Sequence, residues 1–103
     1  MLTGDTILEA ATFDILPGKG AGFEAAIAQA LPLLAATEGY VAHRLRRCVE
    51  DPDRYLLLVE WRGLADHMDG FRNSPRFAQW RALIGPYFAA PPLVQHHAPV
   101  TGV

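Results

Sequence analysis

The segment from Tyr55 to Trp61 (YLLLVEW) constrains this chain most, because as a strand it is apolar on both alternating faces. Tyr55, Leu57, Val59 and Trp61 share one side, and Leu56 and Leu58 share the other. A strand of this kind must be covered twice, once by its own helices and once by something else. Thr6 to Asp14 (TILEAATFD) repeats the pattern, with Ile7, Ala11 and Phe13 sharing a face with Glu9, and Leu8, Ala10 and Thr12 forming the other.

The remaining periodicities arrange themselves around these two strands. Leu16-Pro17-Gly18-Lys19-Gly20 is turn chemistry, and from Ala21 the residues Phe23, Ile27, Ala30, Leu31 and Leu34 recur at helical spacing. Pro32 has no N–H for the Ala28 carbonyl, which predicts a kink near Ala28 to Pro32 or a break there. Gly39 is the expected left-handed cap. Tyr40 to Val49 forms the second strand, with Val41, His43, Leu45, Arg47 and Val49 on one face and Tyr40, Ala42, Arg44, Arg46 and Cys48 on the other. Glu50-Asp51-Pro52-Asp53 is a hairpin loop leading into the Tyr55 strand.

After Gly63, the segment Leu64 to Arg72 places Leu64, Met68 and Phe71 on one helical stripe, with His67 one turn before Phe71. Ser74 as N-cap and Pro75 at the first helical position restart the helix; Phe77, Trp80, Leu83 and Ile84 follow, and Gly85-Pro86 ends it. Leu93 to Val100 is the last strand, with Pro99 suited to an edge or an end.

The order β-α-β-β-α-β predicts an α+β, ferredoxin-like fold: a four-stranded antiparallel sheet with both helices on one face, since both crossovers are right-handed. The opposite face is left bare and apolar, which predicts a homodimer through the open sheet face. With 103 residues, a single domain over residues 1–103 is expected. A net charge of −2 supplies no basic surface, so nucleic acid is not an expected partner. No apolar run approaches membrane-spanning length, and Met1 to Thr6 lacks the basic start and apolar middle of a signal peptide. Together with the single thiol of Cys48, this leads us to expect a cytoplasmic protein with no membrane partner.

The pattern of Glu60-Trp61, His67, Phe71, Ser74-Pro75, Phe77, Trp80 and Pro86, closing on a Val94 to Val100 strand, resembles the antibiotic biosynthesis monooxygenase (ABM) family. The likeness spans roughly Ile7 to Val100 and includes the Pro17-Gly18 turn, Glu38-Gly39-Tyr40 and the Glu50-Asp51-Pro52 hairpin. It implies a dimeric α+β barrel. It also implies chemistry such as oxygenation of quinol-like or anthrone-like compounds without metal or flavin, haem degradation, or handling of small reactive carbonyl or quinone metabolites. The haem-degrading branch carries a histidine ligand late in the second helical piece, but Phe77 to Leu83 contains Trp80 and Arg81 and no histidine. No haem site is therefore carried over, and no cofactor is expected.

His67 is the candidate catalytic residue, an imidazole suited to taking a phenolic proton near neutral pH; the bland alternative is a solvent-facing helix histidine. Trp61, Phe71, Phe77 and Trp80 are candidates for an aromatic slot binding a small aromatic or quinone-like ligand, or else plain core. His43 is a candidate substrate-binding residue or a hydrogen-bonded core histidine. His96 and His97 resemble a metal pair, but neighbouring strand residues point to opposite faces, so no metal site is expected. The two function classes that follow are a cofactor-independent monooxygenase and a non-catalytic ligand-binding or stress-associated dimer.

Overall fold

A computed structural model describes residues 6–103, so the reading of Met1 to Thr6 falls, apart from Thr6, outside the described residues. The two doubly apolar strands, β1 (Ile7–Asp14) and β3 (Arg54–Trp61), pair antiparallel at the centre of one sheet, Ala11 opposite Leu57 and Phe13 opposite Tyr55. β2 (Tyr40–Arg47) flanks β3 and β4 (Leu93–His97) flanks β1, giving the antiparallel order β2-β3-β1-β4. The element order and sheet are those of the ferredoxin-like α+β fold. β4 stops two residues short of Pro99, which has no N–H for a ladder.

Helices α1 (Gly20–Ala35) and α2 (Pro75–Ile84) cover one face. From the sheet, Ala11, Phe13, Tyr55, Leu57, Val59 and Trp61 meet Phe23, Ile27, Ala30 and Leu34 of α1 and Trp80 and Ile84 of α2 in one buried cluster. Burial of each large apolar side chain there contributes about 1.5–3 kcal/mol relative to exposure. On the other face, Leu8, Ala10, Leu56 and Leu58 have no helix over them and stay partly accessible. Among the described residues no helix is long and apolar enough to cross a membrane.

Several local expectations are corrected. Of the kink or break expected at Pro32, the break does not occur: α1 runs without interruption to Ala35. The carbonyl it deprives belongs to the exposed Ala28, where water can serve it, and the Pro32 carbonyl still accepts from the Ala36 N–H. Ser74 occupies the N-cap position of α2, but its hydroxyl donates back to the Phe71 carbonyl at 2.7 Å instead of capping an amide. In β2 a bulge between Tyr40 and Ala42 resets the alternation, so Tyr40 lies opposite Trp61 on the same face as His43, and Val41 is exposed. Leu64 is exposed too, although the helical turn does begin there, two residues before the π-helical stretch Asp66–Phe71.

Gly39 links α1 to β2 with φ +92°, and a Cβ there would overlap the Asp66 side chain. Gly18 also has a positive φ, +75°, but open space around it. Gly39→Ala should therefore cost about 2 kcal/mol or more, from left-handed strain plus the clash, whereas Gly18→Ala should cost about 1 kcal/mol from strain alone. Urea unfolding of the two variants checks the difference, and equal losses would contradict it.

Candidate active site

Between the helix-covered face of the sheet and α2 lies a cavity of about 490 Å³, a volume suited to a small organic ligand. Its floor is Glu9, Ala11 and Phe13 of β1 with Val94 of β4; its walls include His67, Phe71, Phe77 and Trp80, and the segment Phe88 to Pro92 runs along one side. The aromatic wall is orderly: Phe71 meets Phe77 and Trp80 edge to face, at 5.7 and 5.8 Å between ring centres.

The segment Asp66–Phe71 forms one wide π-helical turn, in which the Arg72 N–H donates to the His67 carbonyl five residues back at 2.9 Å. This turn buries His67 and Phe71 against the sheet, so His67 is not a solvent-facing histidine. Its ring stacks on Trp61 with centres 5.2 Å apart and planes 23° from parallel.

Around His67 three polar side chains converge. The Trp61 indole N–H donates to Glu9 Oε1 at 2.9 Å, and His67 Nε2 stands 3.4 Å from the same oxygen. On its other side His67 Nδ1 lies 2.7 Å from His96 Nε2, so one ring N–H must donate to the other ring nitrogen. An ionised Glu9 favours the proton on His67 Nε2, leaving Nδ1 to accept from His96. A protonated Glu9 favours the reverse arrangement.

Burial pushes the Glu9 carboxyl up to about 7, although the Trp61 hydrogen bond and the positive charge of Arg72 both favour its ionised form. Burial also pushes His67 down to about 4, assisted by His96 and Arg72, so its imidazole is neutral at pH 7. His96 is lowered in the same direction, first by burial and then by Arg72 and His97.

Of the residues singled out from sequence, His67, Phe71, Phe77 and Trp80 line this cavity. Trp61 lies beneath it and holds Glu9 from below rather than offering a wall. His43 is off the cavity altogether, half-buried and hydrogen-bonded through Nδ1 to the Tyr40 hydroxyl at 2.6 Å. His96 and His97 do diverge, His96 turning toward His67 and His97 lying exposed. Among the described residues no group of three or more His, Cys, Asp or Glu side chains is placed to hold a metal ion.

Glu9 was not singled out from sequence, and His96 was weighed there only as half of a metal pair, although each left a trace of its role. Glu9 is the one charged residue on the otherwise apolar face Ile7, Ala11, Phe13, and His96 shares strand parity with Val94. That they meet His67 depends on β4 pairing beside β1, which sets His96 opposite Glu9.

A sheet of this order with a helix-covered cavity defines the protein class as ferredoxin-like α+β. Comparison with known sequences makes it narrower. Residues 6–83 match the sequence model of the family described as antibiotic biosynthesis monooxygenase, and the chain belongs to that family. It is 41% identical over 90 residues, 87% of this chain and 95% of the relative, to the uncharacterized protein YczJ of Bacillus subtilis. A crystal structure from Bordetella bronchiseptica, assigned to the antibiotic biosynthesis monooxygenases, superposes with a TM-score of 0.89 at 43% identity, covering 93% of this chain and 98% of that one. SnoaB, a cofactor-independent oxygenase from Streptomyces nogalater, shares the fold with a TM-score of 0.77 at 17% identity, covering 96% and 99%.

The two buried groups act on stability in opposite directions. Glu9, raised from 4.5 to about 7, keeps a proton that the unfolded chain releases, so its contribution is full below pH 4.5 and is lost as pH rises toward 7. His67, lowered from 6.5 to about 4, contributes stability above pH 6.5 that is lost as pH falls toward 4. Glu9→Gln should leave a stability that rises with pH through this range, and His67→Gln one that falls. Urea unfolding at a series of pH values reads both slopes, and slopes of the same sign would refute the assignment.

Proposed function

We propose that the chain is a cofactor-independent monooxygenase acting on a small aromatic, quinol or polyketide-like substrate, and that it works as a homodimer through its open sheet face. The observation that carries this reading is a buried carboxyl, Glu9, poised near neutrality in the wall of an aromatic-lined cavity with His67 behind it. The reaction class comes from the family and from what SnoaB does; the residues and their roles come from this chain.

In this mechanism the substrate lies flat against Phe71, Phe77 and Trp80. Glu9, as carboxylate, takes a proton from a phenol or from an anthrone CH₂ group, a task for which a base near pH 7 is suited. Sequence reasoning gave this task to His67; burial lowers that ring to about 4, which makes it the weaker base near pH 7 and suits it to partner Glu9. The protonated Glu9 donates toward His67 Nε2, whose Nδ1–H then points to His96 at the sheet edge. This leaves a path for the proton between the cavity and the half-buried edge strand.

The substrate anion supplies every electron that dioxygen requires. One electron passes to O₂, the substrate radical and superoxide join in a C–O bond, and the proton returns to give a hydroperoxide. Loss of water then converts the former CH₂ to a carbonyl, with one oxygen atom in the product and the other in water. The enclosing aromatics restrict water around the anion during these steps.

Glu9→Gln should lower oxygen uptake on an anthrone or hydroquinone panel by about a hundredfold, the scale of losing a general base, and His67→Gln should lower it less. Thermal melting serves as the folding control. Unchanged turnover in a folded Glu9→Gln protein would overturn the mechanism, and tight binding of the panel without turnover by the unaltered protein would favour a non-catalytic binding protein.

The dimer has its own test. Leu56 and Leu58 sit on the uncovered sheet face, so Leu58→Asp should shift the protein from dimer toward monomer or unfolded chain in light scattering. A folded monomer for the unaltered chain at micromolar concentration would contradict the assembly.

A further inference from the structure

Resting on the proposed use of this cavity, we infer that the substrate carries a fixed carboxylate on its aromatic ring and that Arg72 and Arg81 hold it. Arg72 directly follows the π-helical turn, and Arg81 lies in the last turn of α2. Both line the cavity and both are exposed, which sets two guanidinium groups where the cavity meets solvent. Two like charges on the wall of one small cavity repel each other, and an anion between them removes that cost.

No direct ion-pair partner among the described residues supplies that anion. Arg47, Arg54 and Arg62 each have a carboxylate within 4.0 Å, whereas Arg72 and Arg81 take part in no ion pair among the described residues. The carboxyl group in the cavity wall, Glu9, is 5% exposed and already engaged with Trp61 and His67. Arg72 is also held in place: its guanidinium carbon lies 5.5 Å from the centre of the Phe77 ring, so the cation stands beside the aromatic wall. A flat ring resting on that wall presents a ring carboxylate to the rim, and the planar fork of a guanidinium matches a carboxylate through two parallel hydrogen bonds. The cavity thus combines a buried proton acceptor with an anion clamp of exposed arginines.

The test compares 1-hydroxy-2-naphthoic acid with 1-naphthol, which differ only by the carboxylate, by calorimetry at neutral pH. The acid should bind about tenfold more tightly or better at low salt, and added salt should shrink that advantage. In an Arg72→Gln, Arg81→Gln double variant the advantage should vanish while 1-naphthol affinity changes far less than that of the acid, and Lys at both positions should restore part of the advantage. Equal affinity of the two ligands for the unaltered protein, equal weakening of both in the double variant, or no binding of either would overturn the clamp. No turnover is measured, so failure here leaves the oxygenase reading standing. Conversely, absence of oxygen uptake with neutral quinols leaves the clamp standing.

Discussion

A carboxyl group buried in an apolar interface is the constraint that the rest of the site obeys. Glu9 sits on the helix-facing side of a central strand, where ionisation is opposed by the loss of water and helped only by one indole N–H, one imidazole and a nearby arginine. The outcome of that contest is a group near half-ionisation at neutral pH. For the base role proposed above, a fully solvated carboxylate would be too weak toward a phenol, and one buried without partners would remain protonated throughout the useful range.

Each neighbour of Glu9 is fixed by a different element. Trp61 comes from β3, directly across the ladder from β1; His67 comes from the π-helical turn, and His96 from the edge strand β4. The wide turn spends an extra residue to bring His67 and Phe71 inward together, one toward the carboxylate and the other into the aromatic wall. The same packing that lowers His67 keeps it neutral, so a relayed proton enters at one ring nitrogen as another leaves from the other, with no charge held in the interior.

Most of the fold was legible before any coordinates. Strands with two apolar faces had to be covered on both sides, and the order of the elements pointed to a ferredoxin-like four-stranded antiparallel sheet. The misreadings came where a short-range rule met a longer-range condition. Pro32 leaves α1 unbroken because the carbonyl it abandons belongs to an exposed residue, and Tyr40 changed sides because a bulge altered the alternation of β2. A period of two carries no mark of an inserted residue, so the bulge could not be read from Tyr40 to Val49 alone.

The site was legible only in part, and the division follows sequence distance. Phe71, Phe77 and Trp80 lie within one helical neighbourhood, so local periodicity alone grouped them, with His67 beside Phe71. Glu9 and His96 stand far from them along the chain. They reach His67 because β1 pairs between β3 and β4 and places Glu9 opposite both Val59 and His96. Sequence by itself determined which residues form strands and helices and which faces are apolar, because those properties follow from side-chain spacing along one segment. Only the tertiary structure decided that Glu9 is the titrating carboxyl of the cavity, since its partners and its desolvation arise from segments that meet across the sheet.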